Sequence, residues 1–241
     1  MSYLKYVNQE PLNVARGLVR DAEIVNIFGV NASMSTTYIP AWENATAYTF
    51  PTANTTMGIK STVGGDTSTI LIKGLDSNYV EKNVTVTLAG TANTLVSTPL
   101  FRINDMITLS GGTPTGTVTL TGGSTIYGQI NPNIGKSQRS MFTVPAGHKY
   151  YLNRIDAFCA SAAINNRELA FRNRVRLSNG VVYNVAESPF LEQLHVNRHY
   201  PFAYNEKTDI SFELRASAGT QKIGVFGEGI LIDETGTGLR S

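Results

Sequence analysis

The sequence predicts an all-β protein: two antiparallel β-sandwich, jelly-roll-like domains preceded by a short N-terminal arm. Three observations carry this. From Val25 onward, short β-branched and apolar runs recur about every ten residues, each closed by a turn signal, as strands of a sandwich or barrel do. Within the runs, side chains alternate: Thr67, Thr69 and Leu71 against Ser68, Ile70 and Ile72, then Val84, Val86 and Leu88 against Thr85 and Thr87. Helical flavour is confined to the first thirty residues, where Gly17 interrupts it and the apolar positions Leu12, Val14, Leu18, Val19, Ile24 and Val25 hold no single face.

Taken in chain order, residues 1–25 read as an extended arm with at most one helical turn, a segment that needs an outside partner to be ordered. Leu12, Val14 and Leu18 are its candidate contact residues. Residues 26–130 form the expected first domain, whose Thr/Gly-rich strands "KNVTVTLAG", "DMITLSGG" and "GTVTLTGG" follow one design. "STIYGQINPNIGKS" reads as a connecting strand and linker. Residues 131–241 form the expected second domain, with strands at Arg139–Val144, Tyr150–Ala160, Glu168–Leu177, Val181–Val185, Ile210–Arg215 and Lys222–Ile232.

Composition bounds the function. Of 241 residues, 41% are hydrophobic and only 16% charged, against about 25% charged in an average chain. A chain of this length buries a core without disulfides, and the lone Cys159 cannot form an internal one. Cys159 reads as a small buried hydrophobe. The formal net charge of +2 gives no ground for a nucleic-acid partner. Met1 to Glu10 lacks the basic-then-apolar order of a secretory signal, and no run reaches the roughly eighteen apolar residues of a membrane helix.

Three motifs invite chemistry and decline it. Gly135-Lys136-Ser137 ends like a phosphate loop, but the glycine required five residues earlier is Ile130, with Gly128 two residues too early. Pro132 removes a donor, and a strand follows instead of a helix. His195 and His199 lie four apart without the His-Glu-x-x-His pattern, and Pro201 favours an extended segment entering a turn, so no metal is expected. The carboxylates are scattered and no Gly-x-Ser-x-Gly elbow is present, so no catalytic residue and no cofactor are expected. The aromatics available for a sugar-binding face are Tyr38, Trp42, Tyr48, Tyr150 and Tyr151.

"FRNRVRLSNG" places Arg172, Arg174 and Arg176 on one side of a strand. Like charges stacked this way repel unless carboxylates meet them. Either cross-strand Asp or Glu neutralises the stripe within the chain, or the stripe contacts an acidic neighbouring subunit; the second reading makes these arginines candidate interface residues.

Several phrases, in order, resemble a type of structural protein that recurs in tailed bacteriophages, especially marine and environmental ones. They are "LNVARGLVRDAEIVNIFGVN" (12–31), "YIPAW" (38–42), "YTFP" (48–51), "ILIKGLDSNYVEKNVTVTLAGT" (70–91), "LFRINDMITLSG" (100–111), "GKSQRSMFTVPAGHKYYLNRI" (135–155) and "KTDISFELRAS" (207–217). The resemblance implies a non-enzymatic virion component made in the host cytoplasm. It would decorate the head or form a fibre, its arm docked on a neighbouring shell protein such as the major capsid protein. A tail, collar or baseplate component and a carbohydrate-binding module are the alternatives. A homo-oligomer is expected, with a trimer as the first guess; membrane and nucleic acid are not expected as partners.

Overall fold

A computed structural model describes residues 10–34, 36–159, 168–217 and 221–235. Residues 1–9 of the expected arm lie outside this set. Among the described residues the first element is a six-residue helix α1 (Glu10–Ala15), and every later one is a strand. The all-β expectation holds.

The strands sort into two packing units. The larger contains β1 (Ala22–Met34), β2 (Ile39–Pro40), β10 (Met141–Thr143), β11 (His148–Cys159), β12 (Leu169–Arg176), β13 (Val182–Phe190), β14 (Gln193–Tyr204), β15 (Asp209–Ala216) and β16 (Gln221–Asp233). One sheet has the order β1-β16-β11-β14; the other has β10-β15-β12-β13, with β2 also paired to β15. β2 and β10 lie end to end along the same edge of β15: Ile39 and Pro40 face Leu214 and Glu213, and Met141 to Thr143 face Ser211 to Asp209. Counted as one interrupted strand, they give eight strands ordered 1-8-3-6 and 2-7-4-5. That is the order of a jelly roll.

The smaller unit is threaded into that interrupted strand. It comprises β3 (Gly58–Ser61), β4 (Thr69–Leu75), β5 (Glu81–Thr87), β6 (Thr94–Leu95), β7 (Arg102–Ser110), β8 (Val118–Gly122) and β9 (Thr125–Ile130). Its sheets, β6-β3-β8-β9 and β5-β4-β7, are all antiparallel. Both supply one core, with Ile59, Val118 and Leu120 from the first and Ile70, Ile72, Val84 and Met106 from the second.

The jelly-roll core draws Ile27, Tyr150, Leu152 and Val225 from one sheet and Phe142, Phe171, Phe212 and Leu214 from the other. Alternation along β16 turns Ile223, Val225 and Leu231 inward. Gly227 sits on that same strand where a Cβ would fall 2.3 Å from the Phe212 ring, so the facing aromatic occupies the space a side chain would take. Each buried aromatic removes enough apolar surface from water to contribute about 2–3 kcal/mol.

Two boundaries differ from the sequence expectation. Strand β1 starts at Ala22, so the last four residues of the expected arm are strand. Residues 27–41 pack in the core of the C-terminal half, not with residues 57–130. The reason is long-range pairing: β1 lies antiparallel to β16 from Ala22↔Ile232 to Asn31↔Ile223, and local alternation carries no information about so distant a partner. Strand β14 also replaces the expected turn around Pro201. That segment pairs with β11 on both sides of a wide bulge, in which Arg198 to Pro201 stand against Asn153 alone.

Candidate functional site: the insertion neck, its buried seam and the adjoining cleft

The chain leaves the interrupted strand at Ala41 and returns at Ser140, whose N–H donates to the Ala41 carbonyl at 2.9 Å. The two ends of the insertion therefore touch. Trp42, bridged to Arg139, is buried and donates its indole N–H to Thr46 O at 2.7 Å. Gly29 of β1 faces this neck, and a Cβ there would stand 2.0 Å from Ala41 O and 2.6 Å from Ser140 N. Only hydrogen fits between these backbones. Glu43 Oε1 accepts the Gln138 N–H across the neck at 2.5 Å, while its Oε2 is buried without a hydrogen-bond partner. Burial pushes this carboxyl up to about 8 against the lowering effect of the Gln138 bond.

Beyond the neck a polar seam locks the two units together. Arg102 of β7 binds Asp209 of β15 through both prongs, Nε–Oδ1 2.7 Å and Nη2–Oδ2 2.9 Å, and the two side chains are only 5% and 3% exposed. The guanidinium is completed by Nη1 bonds to Pro51 O and Phe101 O, and it lies 3.8 Å from the Phe101 ring centroid. Asp209 Oδ1 also accepts from Thr143 Oγ1 at 2.8 Å. Beside it, Asn104 and the Thr143 backbone exchange two bonds of 2.9 Å. A buried charge fully hydrogen-bonded in this way holds geometry more than it adds stability.

A cleft of about 860 Å³ adjoins the seam at Asn104. One wall is the stretch Asp21 to Phe28; the other comes from β4, β5 and β7 through Lys73, Glu81, Asn83, Asn104 and Ile107.

The sequence candidates fall as follows. Arg172 faces Glu213 across β12 and β15 and donates Nε at 2.6 Å and Nη2 at 2.5 Å, while Arg174 reaches the other carboxylate oxygen at 3.6 Å. The Tyr38 ring lies over the Arg172 guanidinium at 4.3 Å. The stripe is thus met within the chain at two of its three positions; Arg176 is exposed, with its guanidinium 5.8 Å from the Phe50 ring centroid. In the arm, Val14 is buried, whereas Leu12 and Leu18 are 56% and 62% exposed.

Lys136 pairs with Asp105 at 3.0 Å, in a turn where Gly135 has φ +73°. His195 Nδ1 donates to Asp156 Oδ1 at 2.7 Å, and His199 packs edge-on to Tyr200, so the two histidines do not converge. Among the described residues no cluster of three or more metal-ligating side chains occurs, and no helix is long and apolar enough to cross a membrane. Of the proposed sugar-facing aromatics, Trp42 and Tyr150 are buried in the fold and cannot form a surface platform. The seam itself escaped sequence reading: Arg102 and Asp209 lie in the phrases "LFRIND" and "KTDI", with no local feature linking them.

No protein-family model matches the chain, and no curated protein does. Solved structures of infectious bursal disease virus are similar only distantly. The Gx strain structure shows 11% identity and a TM-score of 0.26 over 91% of this chain and 72% of that one. The Gt strain structure shows 9% and 0.21 over 89% and 73%. At such scores the fold assignment rests on the strand order alone.

Proposed function

We propose that the chain is a non-enzymatic structural subunit of a tailed-phage virion, decorating the head or built into a fibre. The observation that carries this reading is a jelly roll whose interior is filled. Tyr150, Phe171 and Phe212 occupy the space between the sheets, the space a jelly roll would need to hold a small ligand internally. The inserted unit is fixed on it by a buried two-pronged ion pair instead of a hinge. Such a body acts through its outer surface, as an assembly component does. The sequence resemblance to phage structural proteins supports the same reading, with a tail, collar or baseplate position as the alternative within it.

The test is quantitative mass spectrometry of purified particles together with a glycan array on the purified protein. A fixed copy number per particle and no glycan binding are the expected results. Absence from particles, or saturable binding to one glycan class, would replace this reading with the host-surface binding module.

A further inference from the structure

A sandwich leaves edge strands whose unpaired N–H and C=O groups can template another strand unless they are blunted. On one open side of this jelly roll both edges are blunted. β14 carries the Arg198–Pro201 bulge, and β13 carries a bulge at Val185 and a proline at Pro189. On the other side β1 is different. From Ala22 to Ile27 it pairs with β16 in unbroken register and, among the described residues, with no other strand, and its sequence there, Ala-Glu-Ile-Val-Asn-Ile, holds neither proline nor glycine. Only at Phe28 does a bridge to Arg139 cover the edge.

This edge borders the 860 Å³ cleft. The lining includes every residue from Asp21 to Phe28. Successive strand side chains point to opposite faces, so consecutive residues line one cleft together when the strand is presented edge-on. Asp233 N donates to Asp21 O, which makes Asp21↔Asp233 a hydrogen-bonded pair of the antiparallel ladder. The alternation then turns the N–H and C=O of Ala22, Ile24 and Asn26 away from β16, toward the cleft. Six residues of edge span about 20 Å.

Charge narrows the occupant. Asp21, Glu23 and Glu81 stand around the cleft against Lys73 and His148; Lys136 is paired to Asp105, Asp233 accepts from Thr235, and the Arg139 guanidinium is held over the Tyr48 ring. An added strand that fits has alternating bulky side chains, a cationic group and no carboxylate. Tyr3-Leu4-Lys5-Tyr6-Val7 has that sequence, and it lies outside the described residues. It ends two residues before α1, within and after which Leu12 and Leu18 stand exposed as apolar surface.

We propose that the free edge of β1 is a receptor for an extended strand, and that its occupant is the segment Tyr3–Val7 of a second copy of this chain. The mode is strand addition, with main-chain bonds giving affinity and the acidic rim selecting Lys5. The inference rests on the structural-subunit reading and deepens it by naming the partner and its seat.

The experiment uses the full chain. Sedimentation of the wild-type protein is compared with Lys5→Glu, Glu23→Lys and the combined charge swap. Self-association weakened about tenfold or more in each single variant and recovered in the swap is expected. A Tyr6→Cys/Asn26→Cys variant is then oxidised and run without reducing agent, with Cys159→Ser as background. A covalent species of two or more chains is expected. A linked single chain would assign the seat to the protein's own segment and overturn the exchange. Oligomers that form normally but neither cross-link nor respond to the charge changes would overturn the seat while leaving the structural-subunit reading in place. A wild-type protein that stays monomeric at all concentrations, yet is present in particles, would overturn the exchange alone.

Discussion

Arg102 and Asp209 are the closest coupling between the inserted unit and the jelly roll: two parallel bonds of 2.7 and 2.9 Å between side chains almost wholly removed from water. Losing one partner strands the other charge in the seam, at a cost of about 3–5 kcal/mol. Arg102→Ala is therefore expected to unfold at markedly lower urea concentration, with Asp209→Ala close behind. The double variant Arg102→Met/Asp209→Leu should recover a large part of the loss, because no charge is left unpaired. Urea midpoints of the three variants check this; equal losses in all three would mean the pair itself is net stabilising.

The arginine stripe behaves differently from an exposed row of charges. Glu213 is buried, accepts from Arg172 and forms a longer ion pair with Arg174. Replacing Arg172, Arg174 and Arg176 with Ser should cost about 2–3 kcal/mol of folding stability, somewhat below a fully buried pair because both paired arginines keep partial solvent access. Glu213→Gln in the triple background should restore part of it. Denaturation midpoints unchanged in the triple variant would show that Glu213 finds other partners.

How far the sequence reveals the fold depends on how local each signal is. β4, β5, β7 and β8 announce themselves because alternation and Gly turns sit within ten residues, and the Gly135–Ser137 turn is legible because Ile130 and Pro132 spoil the phosphate loop. The membership of β1 is not legible, since its partner β16 lies at the far end of the chain. β14 is hidden by Pro201 and its bulge, which mimic a turn. The Arg102–Asp209 seam is invisible for the same reason as β1: each half looks like an ordinary charge beside a strand until the insertion folds back on the jelly roll.

Asp66 fixes two loops of the inserted unit. It accepts from Ser61 Oγ at 2.5 Å, from Thr115 N and Oγ1 at 2.9 and 3.0 Å, and from Gly116 N at 2.9 Å. Burial raises its pKa, but these four bonds outweigh that and hold it at about 2. An unfolded Asp titrates near 3.9, so the stabilisation is present above about pH 4 and is lost as pH falls toward 2. Asp66→Asn should be less stable at pH 7, with the difference from wild type shrinking between pH 4 and 2. A constant difference over that range, in urea midpoints, would contradict the assignment.

Glu43 has the opposite sign. Its pKa is raised to about 8, mainly by burial, whereas an unfolded Glu titrates near 4.3. Below about pH 4 both states are protonated and no penalty arises. As pH climbs toward 8 the unfolded state releases a proton that the folded state retains, so the folded state loses stability progressively. Glu43→Gln keeps the acceptor for Gln138 and removes the titration. Its stability relative to wild type should rise between pH 5 and 8, read from thermal unfolding across that range, and a difference that does not change with pH would sink the idea.

The touching ends of the insertion allow a direct test of the architecture. Ala41 O and Ser140 N are bonded at 2.9 Å, and the jelly-roll core contains no side chain from residues 57–130. Replacing Glu43–Gln138 with a short glycine linker therefore closes a gap the chain already spans, at the small entropic cost of a short loop. Arg102 leaves with the insertion, so Asp209→Asn is included to avoid an unpaired carboxylate. The shortened chain should be less stable than the full one but retain an all-β circular dichroism spectrum and one cooperative unfolding transition. A collapsed species with no cooperative melt would mean that the inserted unit is part of the jelly roll's own folding core, despite the separation of the two hydrophobic clusters.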